Sequence, residues 1–351
     1  MSEWERLLEH IKKGKASWSE FERFLNLPNE YLDPFLEHAR NLTQKNFHNK
    51  LKIYIPNKKF PAISITGNEC ALECAHCDKK YLNGMQPILN NSDLNDFLMS
   101  LSKEGGKGAL ISGGCEPDGS VPLINYLDTI KKIKEKTKLI INTHTGLLNE
   151  ATAKKLVEAK VDIVSFDINI DNAVIKEIYH LEKDIRDYER AVRLLKKYKL
   201  NVVPHICIGL YYGELHKELE SIKFIKEMGI FPSLIVLIAL IPPKNSKNLF
   251  KRPIPRDIAK VIATVRFVFP RTEISLGCMR PRGDIKVDIE KQAIKAGITR
   301  IEIPSKTTLK WLRQINPEIN LTYYSACCAI PKEFEEFTES QDSDIKGYLN
   351  I

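Results

Sequence analysis

The strongest constraint on the fold is a repeated alternation of short apolar runs with amphipathic segments, at intervals of roughly 30 residues. The run Leu234–Ile241 is the most apolar and is typical of a parallel strand buried on both faces. The predicted strands lie near 62–66, 108–112, 138–143, 161–168, 201–208, 233–240, 272–277 and 299–303. The predicted helices lie near 92–104, 121–136, 149–159, 184–199, 215–228, 255–268, 284–296 and 306–315. Eight such units predict an α/β fold, a (β/α)8 TIM-type barrel with its active site at the carboxyl ends of the strands. A doubly wound open sheet is the alternative.

Both ends of the chain depart from this rhythm. Trp4, Leu7 and Ile11 repeat at helical spacing, and Ser17 with Glu20 forms a capping-box pattern. We therefore predict a helical extension over residues 1–48, the barrel over 49–315, and a tail over 316–351 that folds over the barrel mouth.

Composition excludes several classes of protein. The 351 residues are 43% hydrophobic, enough to bury a large core. No apolar run reaches the ~18 residues of a membrane span, and the start does not resemble a signal peptide. We therefore expect a reducing cytoplasm, where eight cysteines indicate metal ligands. The net charge of +8 lacks an aromatic-interleaved basic patch, which argues against nucleic-acid binding but suits an acidic protein partner.

Three cysteines lie close together directly after the first predicted strand. Cys70, Cys74 and Cys77 fall within eight residues. Three thiolates can hold three irons of a four-iron cubane and leave the fourth iron open to a chelating ligand. The alternatives are a zinc site, which lacks a suitably spaced fourth ligand, and a disulfide, which leaves one thiol unpaired.

This spacing resembles the CxxxCx(aromatic)C signature of radical S-adenosylmethionine (SAM) enzymes, with His76 in the aromatic position. The resemblance implies a [4Fe-4S] cluster that binds SAM. A second motif, Ser112-Gly-Gly-Cys-Glu-Pro117, resembles the family's Gly-Gly-Glu segment, which receives the SAM amino group. Gly113 and Gly114 match it, whereas Cys115 takes the third place and Glu116 follows one residue late.

Further positions are assigned by the same resemblance. Asp167 and Asn169, at the end of the fourth predicted strand, resemble the pair that binds the SAM ribose in biotin-synthase-like members. Arg190 resembles the arginine that holds the methionine carboxylate, and a surface ion pair is its alternative. His205 is a candidate for the substrate cavity, and a buried histidine without catalytic role is the alternative.

Biotin synthase and lipoyl synthase keep a second, auxiliary iron–sulfur cluster, and the resemblance to them implies one here. Its candidate ligands are four of the five cysteines beyond the first motif: Cys115, Cys278, Cys327 and Cys328. With the segments around them, the chain looks most like the archaeal two-protein lipoyl synthases. That resemblance implies sulfur insertion into an octanoyl chain on a lysine of a lipoyl carrier protein, by way of a 5′-deoxyadenosyl radical and a sacrificial cluster. It also implies a second radical SAM subunit and an electron donor such as ferredoxin.

Two other readings stay open. A radical mutase or ring-forming enzyme, like methylornithine synthase or a hydrogenase-cofactor maturase, needs one cluster only. A non-catalytic iron–sulfur assembly or regulatory protein is the alternative from another class.

Overall fold

The computed structural model describes residues 2–244 and 249–340. Its helices are α1 Glu3–Lys12, α2 Trp18–Leu25, α3 Asp33–Phe47, α4 Asn91–Lys103, α5 Leu127–Lys136, α6 Glu150–Glu158, α7 Ile185–Lys197, α8 Glu218–Glu227, α9 Pro255–Val268, α10 Asp284–Lys295, α11 Lys306–Ile315 and α12 Glu335–Thr338. Its strands are β1 Lys50–Tyr54, β2 Ala62–Ser64, β3 Gln86–Pro87, β4 Gly108–Ser112, β5 Ile140–His144, β6 Ile163–Asp167, β7 Val202–Ile208, β8 Leu234–Ala239, β9 Glu273–Leu276, β10 Arg300–Glu302 and β11 Asn320–Tyr324. A π-helical turn spans Val174–Ile178.

The described residues divide into two compact units. The first contains residues 2–54, 206–244 and 249–323, and its strands follow the order β11-β1-β10-β9-β8. The second contains residues 55–205 and 324–340, and its strands follow the order β6-β5-β4-β2-β3, with the first half of β7 beside β6.

The core strands are parallel to their neighbours within each unit. In the second unit β4 pairs with β5, β5 with β6 and β6 with β7, and in the first unit β8 pairs with β9 and β9 with β10. Consecutive strands thus add in one direction, whereas a doubly wound sheet reverses its order at a switch point. The predicted TIM-type α/β class is confirmed, and every predicted strand and helix is present.

The first unit contains the most deeply buried helix. Residues Ile258–Arg266 of α9 are all buried, and the helix packs against α2, α3, α8 and α10. Arg266 is fully buried there, and it donates to the carbonyls of Gly297, Pro270 and Thr272. Burial lowers the pKa of this guanidinium to about 9. The predicted helices of residues 1–48 are confirmed, and α2 and α3 belong to this packing; the division into three domains stays a prediction.

The tail is not where the sequence predicts it. Glu333 accepts a hydrogen bond from Asn201 at 3.0 Å, and the ring of Phe337 lies 4.5 Å from the Lys107 ammonium. Asn201 and Lys107 immediately precede β7 and β4. These contacts place residues 324–340 at the amino ends of the strands of the second unit, so for this segment the prediction that the tail covers the barrel mouth is wrong. Residues 341–351 of the predicted tail lie outside the described residues. Among the described residues, no helix is long and apolar enough to cross a membrane.

Candidate functional site

The loop that carries Cys70, Cys74 and Cys77 follows β2, at the carboxyl ends of the strands of the second unit. Backbone hydrogen bonds hold it from two sides: the Ala71 amide donates to the Cys115 carbonyl at 2.8 Å, and the Ala75 amide donates to the Ile178 carbonyl at 2.7 Å. The loop is therefore fixed between the segment after β4 and the π-helical turn. π-Helical turns are frequent at functional sites.

The Cys70 sulfur lies against Cys115. The Cys115 amide donates to the Cys70 sulfur at 3.2 Å. Hydrogen bonding from the Cys115 thiol, with a smaller part from its amide, lowers the pKa of the Cys70 thiol to about 5. A thiol with this pKa is a thiolate at neutral pH, the form that binds metal. Amide hydrogen bonds to cluster sulfurs also set the reduction potential of iron–sulfur sites.

The other two thiols lie in the same electrostatic environment. Burial raises the pKa of Cys74 to about 12, and the nearby charges of Cys77 and Cys70 raise it further. Burial is also the largest reason why the pKa of Cys77 is raised. Three half-buried sulfurs that interact with one another become thiolates at low cost only when cations neutralise them, which is what an iron cluster does.

The three thiols are the donor set that an iron–sulfur cluster uses. Among the described residues, no three His, Cys, Asp or Glu side chains are grouped to hold one metal ion. In a cubane each thiolate binds its own iron, so the sulfurs lie farther apart than around a single ion. Cys70, Cys74 and Cys77 would hold the cluster.

Gly113 and Gly114 bring the segment after β4 against the cysteine loop. A Cβ on Gly114 would lie 2.0 Å from the Glu69 carbonyl oxygen and 2.6 Å from the Cys70 Cβ. A Cβ on Gly113 would lie 2.9 Å from the Thr66 hydroxyl. The two glycines are thus needed for the close approach that delivers the Cys115 amide to Cys70.

His76 lies on the other side of the loop, against the residue that follows the π-helical turn. Its ring meets Tyr179 edge-on with centroids 5.1 Å apart, and burial lowers its pKa to about 4. Its buried Nδ1 has no hydrogen-bond partner among the described residues. A neutral ring with an unpaired nitrogen suits a bound ligand such as SAM, although the role of His76 stays a prediction.

The predicted ribose pair is divided by the structure. Asn169 is buried and its amide donates to the Tyr179 hydroxyl at 3.3 Å, so it lies with His76. Asp167 instead has its carboxylate 3.9 Å from Nδ1 of His144. Sequence reasoning missed Asp171, a buried carboxylate that accepts the Ala173 amide at 2.9 Å where the π-helical turn begins. Its signal was the repeated Asp-Ile-Asn-Ile-Asp alternation.

His205 contacts two residues that sequence analysis did not identify as its partners. Its ring meets His144 with centroids 4.9 Å apart, and its Nδ1 lies 3.0 Å from the Val203 carbonyl oxygen. Burial lowers its pKa to about 4, and the His144 charge adds to the effect. His144 was not predicted.

Two predicted SAM ligands lie on the surface. Glu116 is exposed and its amide donates to the Ser120 carbonyl. Arg190 has a 70% exposed side chain and forms an ion pair with Asp187 at 3.0 Å, the alternative stated for it. The roles of both residues toward SAM stay predictions.

The four cysteines of the predicted auxiliary cluster are not brought together as a set. Cys115 contacts Cys70 and follows the carboxyl end of β4. Cys327 and Cys328 belong to the tail of the same unit, whose contacts lie at the amino ends of the strands. Cys278 follows β9 of the first unit on an exposed loop. One cluster bound by Cys115 together with Cys327 and Cys328 is therefore incompatible with the second unit.

Comparison with known proteins identifies the cysteine site. Residues 64–225, which include the cysteine loop, the glycine segment and β4 to β7, match the Radical SAM superfamily. These residues form a radical SAM domain. Biotin synthase of Buchnera aphidicola (strain APS) is 25% identical over 268 residues, covering 70% of this chain and 75% of that protein.

Solved structures agree in fold. The FeFe-hydrogenase maturase HydG from Carboxydothermus hydrogenoformans superposes with a TM-score of 0.68 at 18% identity, over 95% of this chain and 81% of that one. Methylornithine synthase superposes with a TM-score of 0.57 at 17% identity, over 84% of this chain and 85% of that one. At these identities the likeness shows the fold alone. The chain therefore contains a radical SAM domain, and its biotin synthase relatives are of low identity.

Proposed function

We propose that this radical SAM enzyme inserts sulfur into an unactivated C–H bond of an octanoyl chain held on a lysine of a lipoyl carrier protein. The observation that supports the radical chemistry is the contact of Cys70 with Cys115 in the cysteine loop, where hydrogen bonding from the Cys115 thiol and amide lowers the pKa of the Cys70 thiol. Sulfur insertion is supported by the biotin synthase relative. The octanoyl substrate is supported by the sequence resemblance to the archaeal two-protein lipoyl synthases.

The cofactors supply the reactive species. When bound, the cluster and SAM provide a 5′-deoxyadenosyl radical that takes a hydrogen atom from the substrate, and the sulfide of a second iron–sulfur cluster provides the sulfur. Cys70, Cys74 and Cys77 bind the first cluster. Gly113 and Gly114 would let the Cys115 amide lie against the cluster, and His76 and Asn169, which both contact Tyr179, would line the site from the other side of the cysteine loop. Cys278 is our candidate ligand for the second cluster.

The partners follow from the reaction and the charge. The octanoyl-lysine domain of the carrier is the substrate, a ferredoxin-like protein supplies electrons, and a second radical SAM subunit shares the two sulfur insertions. The net charge of +8 suits acidic partners in a reducing cytoplasm.

The test is anaerobic reconstitution followed by incubation with an octanoyl-lysine peptide, SAM and a reductant. We expect about eight irons per chain and a peptide that gains sulfur. Cys278→Ala should lower the iron count, whereas Cys207→Ala, a thiol change on β7, should not. About four irons in the wild type, with deoxyadenosine formed but no sulfur gained, would refute sulfur insertion.

A second candidate is a radical mutase or ring-forming enzyme with one cluster. The separation of Cys115 from Cys327 and Cys328 favours it, because these thiols are then not needed as ligands. Under this function the Cys278→Ala variant retains full turnover and full iron content.

A further inference from the structure

Polar side chains cover one face of β5, β6 and β7 beside the cysteine loop. We call Asn142, His144, Ser165, Asp167 and His205 the inner-face polar cluster. Phe166, between Ser165 and Asp167, contacts Tyr188 of α7 with ring centroids 6.3 Å apart. Because strand side chains alternate, Ser165 and Asp167 lie on the face away from that helix.

Strand register brings the other members to this face. His144 is the register partner of Ser165, and Asp167 is the register partner of His205. Partners in a parallel pair point to the same side of the sheet. Asn142 lies two residues before His144 and therefore on the same face of β5. Its Oδ1 accepts a hydrogen bond from the Ser165 hydroxyl at 3.0 Å.

Asn142 has an unused donor. Its side chain is fully buried, and its Nδ2 has no hydrogen-bond partner among the described residues. Buried polar atoms in native proteins are nearly always paired, so an unpaired amide nitrogen in a site of this kind indicates a ligand that accepts a hydrogen bond. A carbonyl oxygen of the substrate meets this requirement.

The histidines offer acceptors. His205 Nδ1 faces the Val203 carbonyl, which can only accept, so Nδ1 carries the proton and Nε2 keeps its lone pair. His144 Nδ1 lies 3.9 Å from the Asp167 carboxylate, which favours the proton on Nδ1 and leaves Nε2 as an acceptor. The face thus presents one donor and imidazole acceptors.

We propose that the inner-face polar cluster recognises an amide group of the substrate. Asn142 Nδ2 donates to the amide oxygen, and His144 Nε2 accepts from the amide N–H. Alternate residues of a strand lie about 7 Å apart, and a trans amide with a hydrogen bond of about 2.9 Å on each side spans a similar distance. The inference rests on the proposed function, because octanoyl-lysine carries its acyl chain through such an amide.

The test compares two peptides that differ in one atom. An octanoyl-lysine peptide and its ester-linked analogue are bound to the reconstituted, oxidised enzyme with SAM present, so that no turnover occurs, and affinities are measured by fluorescence anisotropy. We expect the wild type to prefer the amide by about 10-fold or more, since losing one hydrogen-bond partner leaves a buried group unpaired. Asn142→Leu should weaken amide binding by a similar factor, and His144→Phe should bring the amide-to-ester ratio close to one.

Thr143→Val is the matched control. Thr143 lies between Asn142 and His144 on β5, so its side chain points to the opposite face, and the ratio should not change. Thermal unfolding and iron content show whether each variant is folded. If Asn142→Leu does not fold, His144→Phe alone tests the inference, because His144 is only half-buried. Unchanged affinities and ratio in the folded variants overturn the inference but leave the proposed function. A wild type that cleaves SAM but binds neither peptide overturns both.

Discussion

The glycine at position 114 allows the most direct test of how the cysteine loop is held. In Gly114→Ala the new Cβ meets the Glu69 carbonyl oxygen at 2.0 Å and the Cys70 Cβ at 2.6 Å. Non-bonded heavy atoms rest about 3.5 Å apart, so the two segments must separate by about 1.5 Å. The atoms met are backbone and Cβ, which cannot rotate away. Such overpacking costs about 1–3 kcal/mol of stability.

The same displacement stretches the 3.2 Å hydrogen bond from the Cys115 amide to Cys70. A misplacement of about 1 Å at a reacting centre can cost 10²-fold in rate. We therefore expect deoxyadenosine formation to fall by about 10- to 100-fold, measured by chromatography after anaerobic reconstitution. Gly84→Ala is the control, since its Cβ meets nothing within 4 Å, and it should retain wild-type activity. Wild-type activity in Gly114→Ala would refute the reasoning.

Three further predictions concern other parts of the molecule. Arg280 and Glu290 form a 2.7 Å ion pair with side chains 3% and 0% exposed. Arg280→Met leaves the Glu290 charge buried without its partner, so it should lower the free energy of unfolding by about 3–5 kcal/mol. Urea unfolding should show part of this loss restored in the double variant that also carries Glu290→Leu. Burial lowers the pKa of His205 to about 4, so below about pH 6.5 the unfolded chain takes up a proton that the folded chain does not. The free energy of unfolding should therefore fall by up to about 3 kcal/mol as the pH drops to 4. Urea unfolding of the His205→Gln variant should show a smaller decrease over the same pH range. If Arg190 holds the SAM carboxylate, Arg190→Ala should raise the KM for SAM. Arg193→Ala, which changes a similarly exposed residue of α7, should leave this KM unchanged. A wild-type KM in both variants would assign Arg190 to the surface ion pair.

The fold was largely predictable because its signals are local. Each buried parallel strand is an apolar run, and each helix has its own amphipathic period. The strand β1 was missed because Lys50 and Lys52 suggest an exposed segment. Lys52 is in fact buried in an ion pair with Glu273, a residue more than two hundred positions away, and no local pattern reveals that partner.

The part of the site that lies within one loop was also predictable from the sequence. Cys70, Cys74 and Cys77 follow one another in a single loop, so their spacing alone indicated a cluster. The contacts between Asn142 and Ser165 and between His144 and Asp167 depend on the register of β5 against β6, which a single sequence does not specify. The tail was misplaced for a related reason: the Glu333 and Phe337 contacts are long-range.

The proposed reaction requires the octanoyl chain to be the hydrogen donor in a site built around Cys70. Deuterium transfer measures this directly, with a peptide whose octanoyl-lysine carries a fully deuterated acyl chain, and with SAM, reductant and reconstituted enzyme. We expect deuterium from the acyl chain to appear in 5′-deoxyadenosine, and we expect the Cys70→Ala variant to form no deoxyadenosine. If the wild-type enzyme forms deoxyadenosine that contains no deuterium, the octanoyl chain is not the hydrogen donor and the proposed reaction is wrong.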